Sequence, residues 1–184
     1  MPITNEDKKK ELFEKSQISL WMDSYTEIFS DFDPRPFSER SISDDFLIEA
    51  KKSAKENLSG KIDLKLLMPA DKRNKTAESI IKKRLKEYFT YRYNLLDAKR
   101  KRLLVQGITF VLFGVFFMVL TTFILQELPK LNFFITLAAV IGEPAGWFLF
   151  WEGLYTTVFE SKERKSDLDF NKRMSKINIS FESY

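Results

Sequence analysis

The 184-residue chain contains no cysteine and no histidine. Without a thiol there is no disulfide, no thiolate zinc site and no cysteine nucleophile. Without an imidazole there is no Ser-His-Asp triad, no histidine-ligated metal and no histidine switch near neutral pH. No motif for a metal or a cofactor is visible, so neither is expected. Glycine and proline are sparse at six each, and neither occurs between Ala70 and Arg102. Charge is missing altogether from Leu103 to Gln126. The length suits one small domain plus something else.

That something else is two long apolar blocks. The first, Leu103 to Gln126, has 24 uncharged residues. A helix rising 1.5 Å per residue needs about 20 apolar residues to cross ~30 Å of hydrocarbon. The second, Leu131 to Phe159, is also long enough, with Glu143 and Glu152 inside it. Only Glu127, Leu128, Pro129 and Lys130 lie between the blocks, which leaves room for an antiparallel helical hairpin, and Pro129 suits a helix start. The start of the chain is polar and charged, unlike a signal peptide.

Residues 88–102 carry Arg92, Lys99, Arg100, Lys101 and Arg102, and residues 160–174 carry Lys162, Arg164, Lys165, Lys172 and Arg173. The connection carries Lys130 alone. Positive charge prefers the cytoplasmic side, so both termini are expected there, in a cell inner (plasma) membrane. The expected organisation is a cytoplasmic α/β domain with a stalk helix (residues 1–102), a first transmembrane helix (103–126), an extracytoplasmic turn (127–130), a second transmembrane helix (131–159) and a cytoplasmic tail (160–184).

Period-two alternation predicts three strands, at residues 17–23, 61–68 and 176–182. The last returns from the tail to share one sheet with the other two. A helix over Ser43 to Leu58 connects the first two strands, which implies a parallel pair with a right-handed crossover. Ser41 or Ser43 can cap it, Asp44 and Asp45 suit its positive end, and Ser59-Gly60 stops it. Ile81, Leu85, Tyr88 and Leu95/Leu96 recur at helical spacing. The stalk and the first span are therefore expected to form one helix from Thr76 to Gln126, about 75 Å long. The fold class is an α/β membrane protein, a transmembrane hairpin with a small three-stranded cytoplasmic domain.

Four features invite a functional reading. The loop Tyr25 to Arg40 contains Asp31-Phe32-Asp33, which resembles the paired aspartates of haloacid-dehalogenase-type phosphotransferases. In that family one aspartate attacks phosphorus and the other is the acid/base, with magnesium nearby. The family has Thr or Val two residues after the second aspartate and an apolar strand before the first; here Arg35 and Ser30 stand in those places. A structural loop fits better, stiffened by Pro34 and Pro36, anchored by Phe29, Phe32 and Phe37, and closed by Arg35 or Arg40 pairing with an aspartate. Charge is also segregated: residues 24–49 hold seven acids and two arginines, and residues 51–102 hold seventeen basic residues and six acids. The run Lys99, Arg100, Lys101, Arg102, with Trp147 and Trp151, is placed at anionic lipid headgroups. No nucleic-acid motif accompanies the basic charge, so nucleic acid is not an expected partner.

Within the hairpin, Gly107 and Gly114 share a face of the first span, and Ala138, Gly142, Gly146 and Gly153 line the second. Small residues let helices approach closely. Glu143-Pro144 lies near mid-membrane, where an ionisable group usually faces protein or water. Thr109, Thr121, Thr122 and Gln106 are its candidate partners within the hairpin. Glu152 lies nearer the interface and reaches water there.

The pattern Gly146, Trp147, Trp151, Leu154 and the segment SDFDPRPFSER (Ser30 to Arg40) resemble those of a group of uncharacterised bacterial two-span inner-membrane proteins with a small cytoplasmic N-terminal domain. The resemblance implies that location and no biochemical activity. The function expected is a non-enzymatic membrane module that forms a homo-oligomer or anchors a membrane protein partner. The alternatives are a subunit of an oligomeric channel or transporter using Glu143, and a membrane-bound phosphoryl-transfer enzyme using Asp31 and Asp33.

Overall fold

A computed structural model of the chain describes residues 17–56, 63–127, 132–160 and 165–184. The elements are β1 (Gln17–Trp21), α1 (Asp44–Glu56), β2 (Asp63–Met68), α2 (Lys75–Glu127), α3 (Phe133–Tyr155), α4 (Lys165–Ser175) and β3 (Asn178–Ser183). Single-turn 3-10 helices occupy Tyr25–Ile28 and Ala70–Lys72, and a π-helical turn follows α3 at Thr156–Glu160. The chain divides into two units: residues up to Tyr93 with Asp169–Tyr184, and Asn94–Leu168. α2 is one helix of 53 residues that contributes to both.

In the first unit the strands form one parallel sheet in the order β1-β2-β3. The register places Ile18, Leu64 and Ile179 in one row and Leu20, Leu66 and Phe181 in the next. Alternation puts these rows on one face. Phe46 and Ala50 of α1 and Ile81, Leu85 and Phe89 of α2 complete the core beside them. Two details of the sequence reading need correction. The α2 stripe turns through Phe89, which is fully buried, and Tyr88 is only half-buried at its side. Leu67 is also buried, although alternation sends it to the opposite face, because β2 is the central strand. Beside it the rings of Trp21 and Tyr184 approach to 4.5 Å.

α1 starts at Asp44, one residue later than expected, and its expected Ser59-Gly60 stop lies outside the described residues. A capping box is found at Ser24: Glu27 Oε1 accepts the Ser24 N–H at 3.0 Å, and the Ser24 hydroxyl caps the turn. β3 begins at Asn178, not 176, because the unanticipated helix α4 precedes it. Turn hydrogen bonds from Lys176 N to Arg173 O (3.1 Å) and Ile177 N to Met174 O (3.4 Å) hand α4 over to the strand. α4 escapes a periodicity search because its few apolar residues sit among charges; it buries Met174 and sets Phe170 edge-on against Phe89.

A polar cluster fixes the start of α2. The Asn74 side chain accepts the N–H groups of Thr76 (2.9 Å) and Ala77 (3.1 Å), as an N-cap does. Glu78 is buried and accepts from Arg73 Nε at 2.8 Å and from the Tyr25 hydroxyl at 3.1 Å. The Arg73 guanidinium holds the Glu78 carboxyl below its usual value, and burial pushes the Tyr25 phenol up.

In the second unit α2 and α3 meet through small residues. A Cβ built on Gly114 would lie 2.6 Å from Phe150 N and 2.7 Å from Gly146 O, and one on Gly153 would lie 2.6 Å from Gly107 O. Gly107 also abuts the Thr157 hydroxyl, and Gly142 faces Thr121. Positions that come early in this part of α2 thus meet positions that come late in α3. The described part of the connection between the helices is Glu127 and Asn132; residues 128–131 fall outside the described residues. Both helices are long and apolar enough to cross a membrane, and 11% of the most apolar stretch of each is buried within the chain.

Candidate functional site

The strongest candidate is the α3 face that carries Glu143. α3 runs through Pro144 to Tyr155 without interruption. Its inward face is set by Ala139, Gly146 and Gly153, seven residues apart and all buried. The sequence reading placed Ala138 on that face; the structure places Ala139 there and leaves Ala138 exposed. On α2 the matching positions are Gly107, Gly114 and Thr121, also at intervals of seven. Thr121 and Thr157 were missed as seam residues, and the heptad spacing from Gly107 through Gly114 was the signal that could have found Thr121.

Glu143 comes four residues after Ala139 and three before Gly146, at the edge of that face rather than opposite it. It is exposed, together with Pro144, Trp147 and Trp151. Glu143, Trp147 and Trp151 follow at intervals of four, one above another on a helix. The two indoles are stacked, 6.4 Å apart at 20°. None of the three expected hydroxyl partners turns to Glu143. Thr109 donates to Val105 O at 2.8 Å, Thr121 to Phe117 O at 2.9 Å and Thr122 to Met118 O at 2.8 Å, each on its own helix. Among the described residues, none forms a hydrogen bond or ion pair with Glu143. Glu152 is exposed as well.

At the start of the apolar stretch of α2, Lys99, Lys101 and Arg102 are exposed and Arg100 is half-buried. Lys101 pairs with Asp97, one turn back, at 2.8 Å.

The loop site is built differently from a catalytic pair. Arg35 grips Asp33 through Nε (2.9 Å) and Nη2 (2.7 Å), and the Ser41 N–H donates to the same carboxylate at 2.7 Å. These donors hold the Asp33 carboxyl far below the usual carboxylate range, Arg35 contributing most. Arg40 donates twice to Ser30 O, at 3.0 and 2.9 Å, and reaches Asp31 at 4.0 Å. Asp33 is thus engaged in closing the loop, and Asp31 points outward with its side chain 89% exposed. Phe29 and Phe37 stack at 5.2 Å and anchor the loop as expected. Phe32 does not: it is 99% exposed.

Comparison with protein-family models, curated proteins and solved structures returns no match for this chain. What the architecture defines is a mostly helical protein with a small parallel sheet and two long apolar helices.

Proposed function

We propose that this is a two-span integral protein of a bacterial inner membrane, a non-enzymatic module that self-associates or holds a membrane protein partner there. Several observations support the spans. Exposed large apolar residues such as Phe113, Phe116, Phe123, Ile141 and Phe148 cover α2 and α3. Water-soluble monomers rarely present so large an apolar surface. The order of contacts along the seam supports an antiparallel hairpin, and the flanking lysines and arginines support cytoplasmic placement of the segments before Leu103 and after Phe159. The same basic residues suit anionic lipid headgroups.

The observation that carries self-association is Glu143, exposed on an apolar helix and without a hydrogen-bond or ion-pair partner among the described residues. An ionisable side chain at bilayer depth costs about 2.5–3.5 kcal/mol on insertion scales, and such groups face protein or water rather than lipid. The intrachain seam is already filled by α2, so a second polypeptide meets Glu143. Interhelical hydrogen bonds in membranes are worth about 0.6–2 kcal/mol. Native mass spectrometry in detergent, with cross-linking in membranes, should find an oligomer or a co-purifying partner. Glu143→Gln should keep the assembly and Glu143→Ala should weaken it roughly three- to thirtyfold. A lone monomer throughout, with no partner, refutes the proposal. The same exposure also supports a ring whose lumen Glu143 lines. For that reading, liposome flux should change in Glu143→Gln, and unchanged flux removes it.

A further inference from the structure

Phe32 sits at the tip of a loop whose geometry is tightly determined. Ser30 N donates to Ser41 O at 2.9 Å and Asp33 N to Ser30 O at 3.3 Å, while Arg35 and Arg40 clamp the two limbs as described. Phe29 and Phe37 are turned inward, and Phe32 alone is displayed, almost wholly in solvent. A large apolar side chain held out by a preorganised loop gains the full benefit of burial when a partner covers it, with little ordering cost. Asp31, next to it, also lines a cleft of about 640 Å3 between β1 and α1. Its lining is mixed: Leu20, Met22, Phe29 and Phe46 are apolar, and Glu27, Asp31, Asp45 and Glu49 are acidic. Among the described residues, none that lines the cleft is basic. Glu27 Oε1 is engaged by the N–H groups of Asp23 (2.9 Å) and Ser24 (3.0 Å), which leaves Asp31, Asp45 and Glu49 as the outward charges.

The chemistry of the occupant follows from these groups. Among the described residues no three carboxylates gather closely enough to hold a metal ion, so the complement is extended rather than a single cation. Three outward carboxylates repel anionic headgroups, so the Phe32 tip is not a membrane wedge. Asp45 and Glu49 stand one helical turn apart, a like-charge spacing that an opposite charge relieves.

We infer that Phe32 and the adjoining β1–α1 cleft form a docking surface for a lysine- or arginine-rich segment of another protein, one that also offers an apolar pocket to Phe32. The test uses the full chain in nanodiscs of phosphatidylcholine, whose headgroups carry no net charge. The probe is a fluorescent nonapeptide of alternating lysine and leucine, with a glutamate-leucine control, followed by anisotropy. Saturable binding of the lysine peptide alone is expected. Phe32→Ala should weaken it about tenfold. Asp45→Asn with Glu49→Gln should weaken it to a similar degree and flatten its salt dependence. These side chains are exposed, so the variants should melt as the parent does. Absent binding, or binding that all variants share with the parent, overturns the inference. So does a change in the number of subunits in the assembly of Phe32→Ala, which assigns the tip to a second copy. A dye at Phe32→Cys that shifts in lipid alone assigns it to the bilayer, with the same consequence.

Discussion

Adding a methyl group to a helical glycine has two opposed effects, and the seam between α2 and α3 decides which prevails. Ala favours a helix over Gly by about 0.8–1 kcal/mol. Against this stands the new Cβ. At Gly114 it would lie 2.6 Å from Phe150 N and 2.9 Å from Phe150 Cα, both backbone atoms that cannot rotate away. Ordinary contact begins near 3.4 Å, so the two backbones must separate by most of an ångström, and the packing along the seam loosens with them. Overpacking of this kind costs about 1–3 kcal/mol. Gly114→Ala should therefore be destabilising by about 1–2 kcal/mol net, and Gly153→Ala similarly, since its Cβ meets Gly107 O and Val111 N. At Gly142 the close atom is Cγ2 of Thr121, 2.6 Å away and on a side chain rather than the backbone, so Gly142→Ala should cost less than Gly114→Ala. Thermal or denaturant unfolding in one detergent, followed by tryptophan emission, reads the series. The chain has no cysteine, so paired cysteines at Val111 and Phe150 report helix separation without background. Equal stability of Gly114→Ala and Gly142→Ala, or the reverse order, would refute close backbone packing as the organising contact.

Other expectations follow from the first unit and from the topology. Arg73→Ala leaves the buried Glu78 carboxylate short of its main partner and should cost about 2 kcal/mol, less than for a fully buried pair because Arg73 is a quarter exposed. Glu78 titrates below its ordinary value of 4.5 in the fold. Its contribution to stability is complete above that value and is lost as the pH falls towards the lower folded one, so Glu78→Gln should flatten the acid limb of a stability curve. Asp33→Asn removes the carboxylate that ties Arg35 to the Ser41 amide, and should speed tryptic cleavage after Arg40 and amide exchange at Ser41. Tags placed before β1 and after Tyr184 should both be accessible from the cytoplasmic side alone; a tag at Tyr184 exposed to the periplasm contradicts the topology.

Much of the fold was legible because it rests on local pattern. Alternation located β1 and β2 to within a few residues, and the missing glycine and proline between Ala70 and Arg102 pointed to a helix continuous into the apolar stretch, which the structure has as Lys75–Glu127. α4 was not legible, since its stabilising contact is Phe170 against Phe89, some eighty residues away in sequence. Arg35 and Asp33 were readable as a pair at close spacing. That Asp33 also takes the Ser41 amide depended on the loop's return path.

By itself the sequence determined most of the helices and strands, α4 excepted, which stretches carry no charge, and which chemistries are missing with cysteine and histidine. Those properties depend on residues a few positions apart. Tertiary structure alone decided which way each helix faces: that Ala139 and not Ala138 joins the seam, that Glu143 and the two stacked indoles are left outside it, and that Phe32 points outward while Phe29 and Phe37 point in. A rotation of one residue on a helix is 100°, and only contact with a second element selects among the faces that a nearly uniform apolar helix offers.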